Sequence, residues 1–170
     1  MAAMRAVRWF VLACLLGGVF GCGGPAPSMP PGMTASVDGW TRIGLACVGP
    51  ASSNDPDGLL KWNCSGTLEG IAVVAAMDGD ARGLFLASVS VPTSTDKATT
   101  IAVFADVAAA TVAYAAVAGQ IHTWLEAWNG DVDGITIGPA SLAIATAIGS
   151  PPTTTLYLTG PRKNVADPIP

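Results

Sequence analysis

Gly70-Ile71-Ala72-Val73-Val74-Ala75-Ala76-Met77-Asp78-Gly79-Asp80, followed within three residues by Gly83-Leu84-Phe85-Leu86-Ala87-Ser88-Val89-Ser90-Val91, is the stretch whose reading decides the fold. Both halves are rich in β-branched and small apolar residues, and Phe85, Ala87, Val89 and Val91 alternate as one face of a strand. Asp78-Gly79-Asp80 between them reads as a hairpin turn, Asp-Gly being the favoured pair for a tight connection. Pro92 ends the second strand. Just upstream, Leu60-Lys61-Trp62-Asn63-Cys64 alternates too, with Leu60, Trp62 and Cys64 on one side. The three segments predict an antiparallel meander with a single apolar face.

Working outward toward the N-terminus, Gly49 to Gly58 is a loop by composition, and Leu45-Ala46-Cys47-Val48 a short extended piece. Trp40-Thr41-Arg42-Ile43 reads as the last turn of a short helix stopped by Gly44. Order is expected to begin near Val37. Toward the C-terminus, Ser94-Thr95-Asp96 offers helix-capping oxygens. Phe104, Val107, Thr111, Tyr114, Ala118, Ile121 and Leu125 follow at helical spacings of three and four. So long a helix in so small a domain predicts a break between Thr111 and Gly119, and two helical pieces ending at Asn129-Gly130. Gly134–Ile137, Ser141–Ala147 and Thr154–Thr159 are strand-like, separated by Gly138-Pro139 and by Gly149-Ser150-Pro151-Pro152. The expected class is therefore α+β, an antiparallel sheet meander with helices packed on one face. A similar order of turns and strands in 66–91 and 138–159 suggests a duplicated unit of helix plus strands.

The first residues carry a different kind of information. Arg5 and Arg8 precede a 12-residue apolar run, Trp9 to Phe20, within the length of a secretory signal and short of the ~20 residues a spanning helix needs. The run ends in Val19-Phe20-Gly21-Cys22, which resembles the lipobox of bacterial lipoproteins: an aliphatic residue, two further positions, then Cys. Phe20 departs from the small residue usual before the Gly. The resemblance implies diacylglycerol on the Cys22 thiol, cleavage before Cys22 and attachment to the outward face of a membrane. Residues 1–21 are then the signal, 22–36 the lipidated Cys and a Pro/Gly tether, 37–160 a single domain and 161–170 a disordered tail. The order Gly44-Leu45-x-Cys47, Trp62-x-Cys64, strand pair and helix also resembles small actinobacterial lipoproteins of unknown function, which carry no activity to transfer.

The chain has 170 residues and a formal net charge of −4, with charged residues at 12%, against about 25% in an average domain. Loss of Arg5 and Arg8 with the signal makes the remainder more acidic. No basic run survives, which argues against nucleic acid and against electrostatic attachment to anionic lipid. Once Cys14 leaves with the signal and Cys22 carries lipid, Cys47 and Cys64 remain, 17 apart. Outside the cytosol the simplest pairing is a disulfide; a metal site would need partners nearby, and the single His is at 122.

No nucleophile, zinc, nucleotide or dinucleotide motif is present, so no catalytic residue, cofactor or metal ligand is assigned. Asn129-Gly130-Asp131-Val132-Asp133-Gly134 has oxygens at alternate positions like the start of a calcium loop, but the twelfth position is Ala140 rather than Glu; a polar helix-to-strand turn explains it equally. His122 and Glu126, one turn apart, form a local pair. Ile101 to Ala118 is apolar except for Asp106 and reads as a core helix rather than a membrane span. Trp124 and Trp128 lie on one helix face, as core or as an aromatic surface for a ligand or membrane. The expectation is a non-catalytic, lipid-anchored envelope domain that binds a small molecule or protein. The alternatives are an envelope enzyme using Asp78/Asp80 or Asp131/Asp133, and a structural assembly role.

Overall fold

The computed structural model describes residues 31–52, 59–80, 83–137, 140–148 and 150–160. Cys22, most of the tether and the tail from 161 lie outside them. Helix α1 (Pro31–Arg42) leads into four strands, β1 (Leu45–Ser52), β2 (Leu60–Leu68), β3 (Ile71–Asp80) and β4 (Gly83–Pro92). Helix α2 (Lys97–Ala110), a short 3₁₀ turn (Ala115–Val117) and helix α3 (Ala118–Ala127) follow. Strands β5 (Asp133–Ile137), β6 (Ala140–Ala147) and β7 (Thr153–Thr159) complete the chain. All seven strands form one antiparallel sheet in the order β1-β2-β3-β4-β7-β6-β5. The α+β reading holds. The layout is two runs of helix then meander, of four and three strands, joined where β4 pairs β7.

The sheet's two faces are chemically distinct. Across the inward face run the register rows Trp62–Met77–Ala87–Leu158–Leu142 and Cys64–Ala75–Val89–Leu156–Ile144, every member buried. The helices cover this side, contributing Met33, Trp40, Val103, Phe104, Val107, Ile121 and Leu125 to the same core. The outward face carries small or polar side chains such as Ser65, Ser90 and Ala145 beside the exposed Val74, and Ser90 Oγ and Thr155 Oγ1 share a hydrogen bond across strands at 2.8 Å. Cys47 and Cys64 stand opposite each other in register on β1 and β2 and form a disulfide.

Three expectations need correction. Helix α1 already runs from Pro31, inside the segment read as tether, so order does not wait until Val37. Met33, Ser36, Val37 and Trp40 fall on one helix face at spacings of three and four, and Met33, Ser36 and Trp40 are buried; the Pro/Gly composition before them masks that stripe. Asp78-Gly79-Asp80 is not the turn, because β3 runs through it to Asp80. Gly79 is there for space: a Cβ would lie 2.6 Å from both the Met33 sulfur and the Gly83 carbonyl oxygen. The connection from β3 to β4 follows Asp80, outside the described residues. Among those described, Glu69-Gly70 is a two-residue turn joining β2 to β3, both with positive φ (50° and 79°), the backbone twist that suits a hairpin. Finally, Asp78 pairs with Leu86 and Gly79 with Leu84, leaving Phe85 as the extra residue of a bulge. The inward set of β4 is therefore Leu84, Ala87, Val89 and Val91, with Phe85 only half-buried.

The expected helix break falls where it was placed, and its cause is α1. Thr111 ends α2 in an extended conformation (φ −87°, ψ 115°), its hydroxyl donating back to the Val107 carbonyl at 2.7 Å. Trp40 Nε1 donates to that same hydroxyl at 2.8 Å, and the Val112 amide donates to Ser36 Oγ at 3.3 Å. Two groups from α1 thus satisfy the break. No helix among the described residues is long and apolar enough to cross a membrane.

Candidate functional site

At one end of the sheet the inward rows change character. Beyond Ile144–Leu156–Val89 the next row is Thr146–Thr154–Val91. The first turn of α2 and the last turn of α3 splay over this row. The space they leave is an open cleft of about 230 Å³, walled by Thr93, Thr95, Lys97 and Thr100 on the α2 side. Trp128, Asn129 and Gly130 close it from the α3 side, with Thr146 and Thr154 as its floor.

Each wall is fixed locally. The Thr95 amide donates to the Pro92 carbonyl at 3.0 Å, turning the chain out of β4 and into α2. Asp96 caps α2: Oδ1 accepts from the Thr99 amide at 3.0 Å and Oδ2 from the Thr99 hydroxyl at 2.7 Å. Those bonds, the amide first, hold the Asp96 carboxyl below its usual value of 3.8. The cap satisfies the Thr99 amide at the helix terminus. On the other wall, the Trp128 amide closes α3 onto the Trp124 and Leu125 carbonyls, and its indole Nε1 donates to the Asp131 carbonyl. Asn129 Oδ1 accepts from the Asp131 amide at 3.0 Å. Lys97 Nζ reaches across to the Glu126 carbonyl at 3.5 Å.

The lining is hydroxyl-rich and carries one ammonium and no carboxylate. Thr100 and Thr154 are only 3% and 6% exposed, and neither hydroxyl has a hydrogen-bond partner among the described residues. A hydroxyl both donates and accepts, an ammonium only donates. Such a surface can hold a polar ligand, and its lining brings no nucleophile and base together.

The residues singled out from sequence fall elsewhere or play local parts. Trp128 is buried and forms a wall of the cleft, whereas Trp124 is half-buried and donates from Nε1 to Asp133 Oδ2 at 3.0 Å. In the Asn129–Gly134 turn, Asn129 Oδ1 accepts from the Asp131 amide, Asp133 Oδ1 from the Gly134 amide at 2.8 Å and Asp133 Oδ2 from Trp124 Nε1. His122 and Glu126 form an exposed pair at 4.0 Å. Asp78 lies on the outward face, 3.5 Å from its cross-strand neighbour Lys61. Three strands separate β3 from β5 in the sheet, so the acid pairs Asp78/Asp80 and Asp131/Asp133 do not share a site. No group of three or more metal-ligating His, Cys, Asp or Glu occurs among the described residues. Tyr114 is fully buried with its hydroxyl unpartnered, and burial pushes its titration well above the usual range.

Sequence reasoning missed the cleft. Its one signal lay in phase: Leu142-x-Ile144-x-Thr146 and Thr154-x-Leu156-x-Leu158 both put threonine at the inward position nearest the Gly-Pro turn between them. No protein-family model matches the chain, and neither a curated protein nor a solved structure is similar to it.

Proposed function

We propose that this chain is a lipid-anchored, extracytoplasmic domain that binds a ligand in the cleft between the α2 and α3 ends and the Thr146–Thr154 row, without catalysing a reaction. Val19-Phe20-Gly21-Cys22, at the end of an apolar run too short to span a bilayer, carries the location. A thioether-linked diacylglycerol supplies two buried chains, the number at which attachment becomes stable rather than marginal. The Cys47–Cys64 disulfide supports the same compartment, since such bonds persist where thiols are not kept reduced. Binding is favoured over catalysis by the lining, in which threonine hydroxyls and one ammonium meet no acid or base positioned to move a proton.

Labelled palmitate fed to a lipoprotein-processing bacterial host expressing the full chain tests the anchor. The wild type is expected to incorporate label and sediment with membranes, and Cys22→Ser to do neither. An unlabelled wild-type chain whose mature N-terminus is unmodified by mass spectrometry overturns the location.

A further inference from the structure

We propose that the cleft recognises an oxyanion carried on a hydroxylated body, a phosphate monoester being the best fit, with Lys97 and the Thr100 and Thr154 hydroxyls as its contacts; this rests on the reading of the cleft as a binding site. Three observations carry it.

The first is a pair of hydroxyls that no other described residue engages. The buried unpartnered side-chain atoms among the described residues are Asp78 Oδ1 and the Tyr114 hydroxyl, so the Thr100 and Thr154 oxygens stay open to the cleft. Thr100 and Thr154 are both more than nine-tenths buried, lie on different layers of the fold and line the same cleft. A ligand oxygen between sheet and helix would take the place of solvent on both.

The second is the ammonium. The chain has 12 acids against 8 basic residues, and Lys61 stands 3.5 Å from Asp78. Among the described residues Lys97 has no carboxylate within ion-pair distance, and its one hydrogen bond there is the long one to the Glu126 carbonyl at 3.5 Å. Asp96 is next in sequence, but both of its oxygens are engaged by Thr99. An ammonium repels a bound cation, and a carboxylate-free wall offers a divalent ion no charged oxygen ligand. Opposite charge on the ligand is what the wall accepts, through charge-assisted hydrogen bonds.

The third is size. A cleft of about 230 Å³ has room for roughly seven waters at their liquid volume, more than a bare phosphate group occupies. Thr93, Thr95 and Thr146 line the rest of the cleft, and their hydroxyls can hydrogen-bond a polyol body.

The test titrates the full chain in detergent with glucose 6-phosphate, inorganic phosphate and glucose, read by amide chemical shifts. Lys97→Gln and Thr154→Val are the variants, with unchanged melting temperature of Lys97→Gln as the folding control. The expected result is saturable shifts at Lys97, Thr100, Thr146 and Thr154 with the sugar phosphate, weaker ones with phosphate and none with glucose. Lys97→Gln should weaken binding about tenfold. Equal saturation by phosphate and by the sugar phosphate overturns the hydroxylated body and leaves an anion site. Saturation by glucose at the same residues overturns the oxyanion while the binding reading survives. Shifts that do not saturate with any probe, or that are indifferent to Lys97→Gln, overturn the inference itself.

Discussion

Replacing Thr111 with Val isolates the contact that breaks the helical layer in two. The side chains are nearly isosteric, and the extended backbone at Thr111 (φ −87°, ψ 115°) suits a β-branched residue, so neither a cavity nor backbone strain is introduced. The hydroxyl makes two bonds, to the Val107 carbonyl and from Trp40 Nε1. Its loss does not orphan the Val107 carbonyl, which still accepts from the Thr111 amide at 3.1 Å. The Trp40 indole N–H does become orphaned in a site with no exposure, and a buried unpaired donor costs about 1–3 kcal/mol. With a urea slope of about 1–3 kcal/mol per molar, the midpoint should fall by roughly 1 M, followed by far-UV circular dichroism. The same substitution made in Trp40→Phe, where no indole remains to orphan, should cost almost nothing more. Equal losses in the two backgrounds would refute the assignment, because they would mean that the hydroxyl stabilises the break without Trp40.

Other consequences follow from single contacts. Reducing the Cys47–Cys64 bridge, which closes 17 residues, should remove about 3 kcal/mol on the chain-entropy estimate, seen as a lower melting temperature in reductant; coincident melts of chains shown by mass to be bridged and reduced would contradict this. Tyr114→Phe deletes a buried hydroxyl that has no partner and should leave stability unchanged or raise it by up to about 1–3 kcal/mol; a clear loss on denaturation would reveal a bond from that hydroxyl. Asp96 has its folded-state carboxyl lowered from 3.8 by the Thr99 amide and hydroxyl. Its contribution is therefore present above the unfolded value and lost as pH falls through the lower folded one. The stability gap between wild type and Asp96→Asn should accordingly close below pH 3.8, and a gap constant from pH 7 to pH 2 would contradict the linkage.

Period-two and period-three-to-four patterns were legible because burial enforces them over many residues. The strands in the second and last thirds, the helix break and the Cys47–Cys64 pairing could all be read in the chain. What escaped were features that depend on a distant segment. Gly79 looks like a turn residue because Asp-Gly so often is one; only the approach of Met33, 46 residues earlier, shows why a side chain is excluded there. Phe85 breaks phase because β4 itself bulges where it pairs with β3, a mismatch in pairing that the sequence of β4 alone does not record. The cleft was hidden for the same reason. A threonine at an inward strand position reads as an ordinary strand former, and its significance comes from which helix ends lie above it.

The lock at Thr111 and the cleft sit at opposite ends of α2, yet one depends on the other. Uninterrupted, the segment from Lys97 to Ala127 would be a rod of about 46 Å at 1.5 Å per residue, longer than any strand beneath it. The break that α1 imposes at Thr111 and Val112 folds it into a descending α2 and a returning α3. The lengths then match well enough for Lys97, in the first turn of α2, to reach Glu126 in the last turn of α3. That return sets Trp128 and Asn129 above Thr146 and Thr154. The cleft is the space left where two helix ends fail to cover the final row of the sheet, and threonine rather than leucine occupies that row. A helical layer one turn longer on either side would bury those hydroxyls, and two aliphatic residues in their place would close the gap by packing. Open space and polar floor therefore come from separate parts of the sequence, and both are needed for a site.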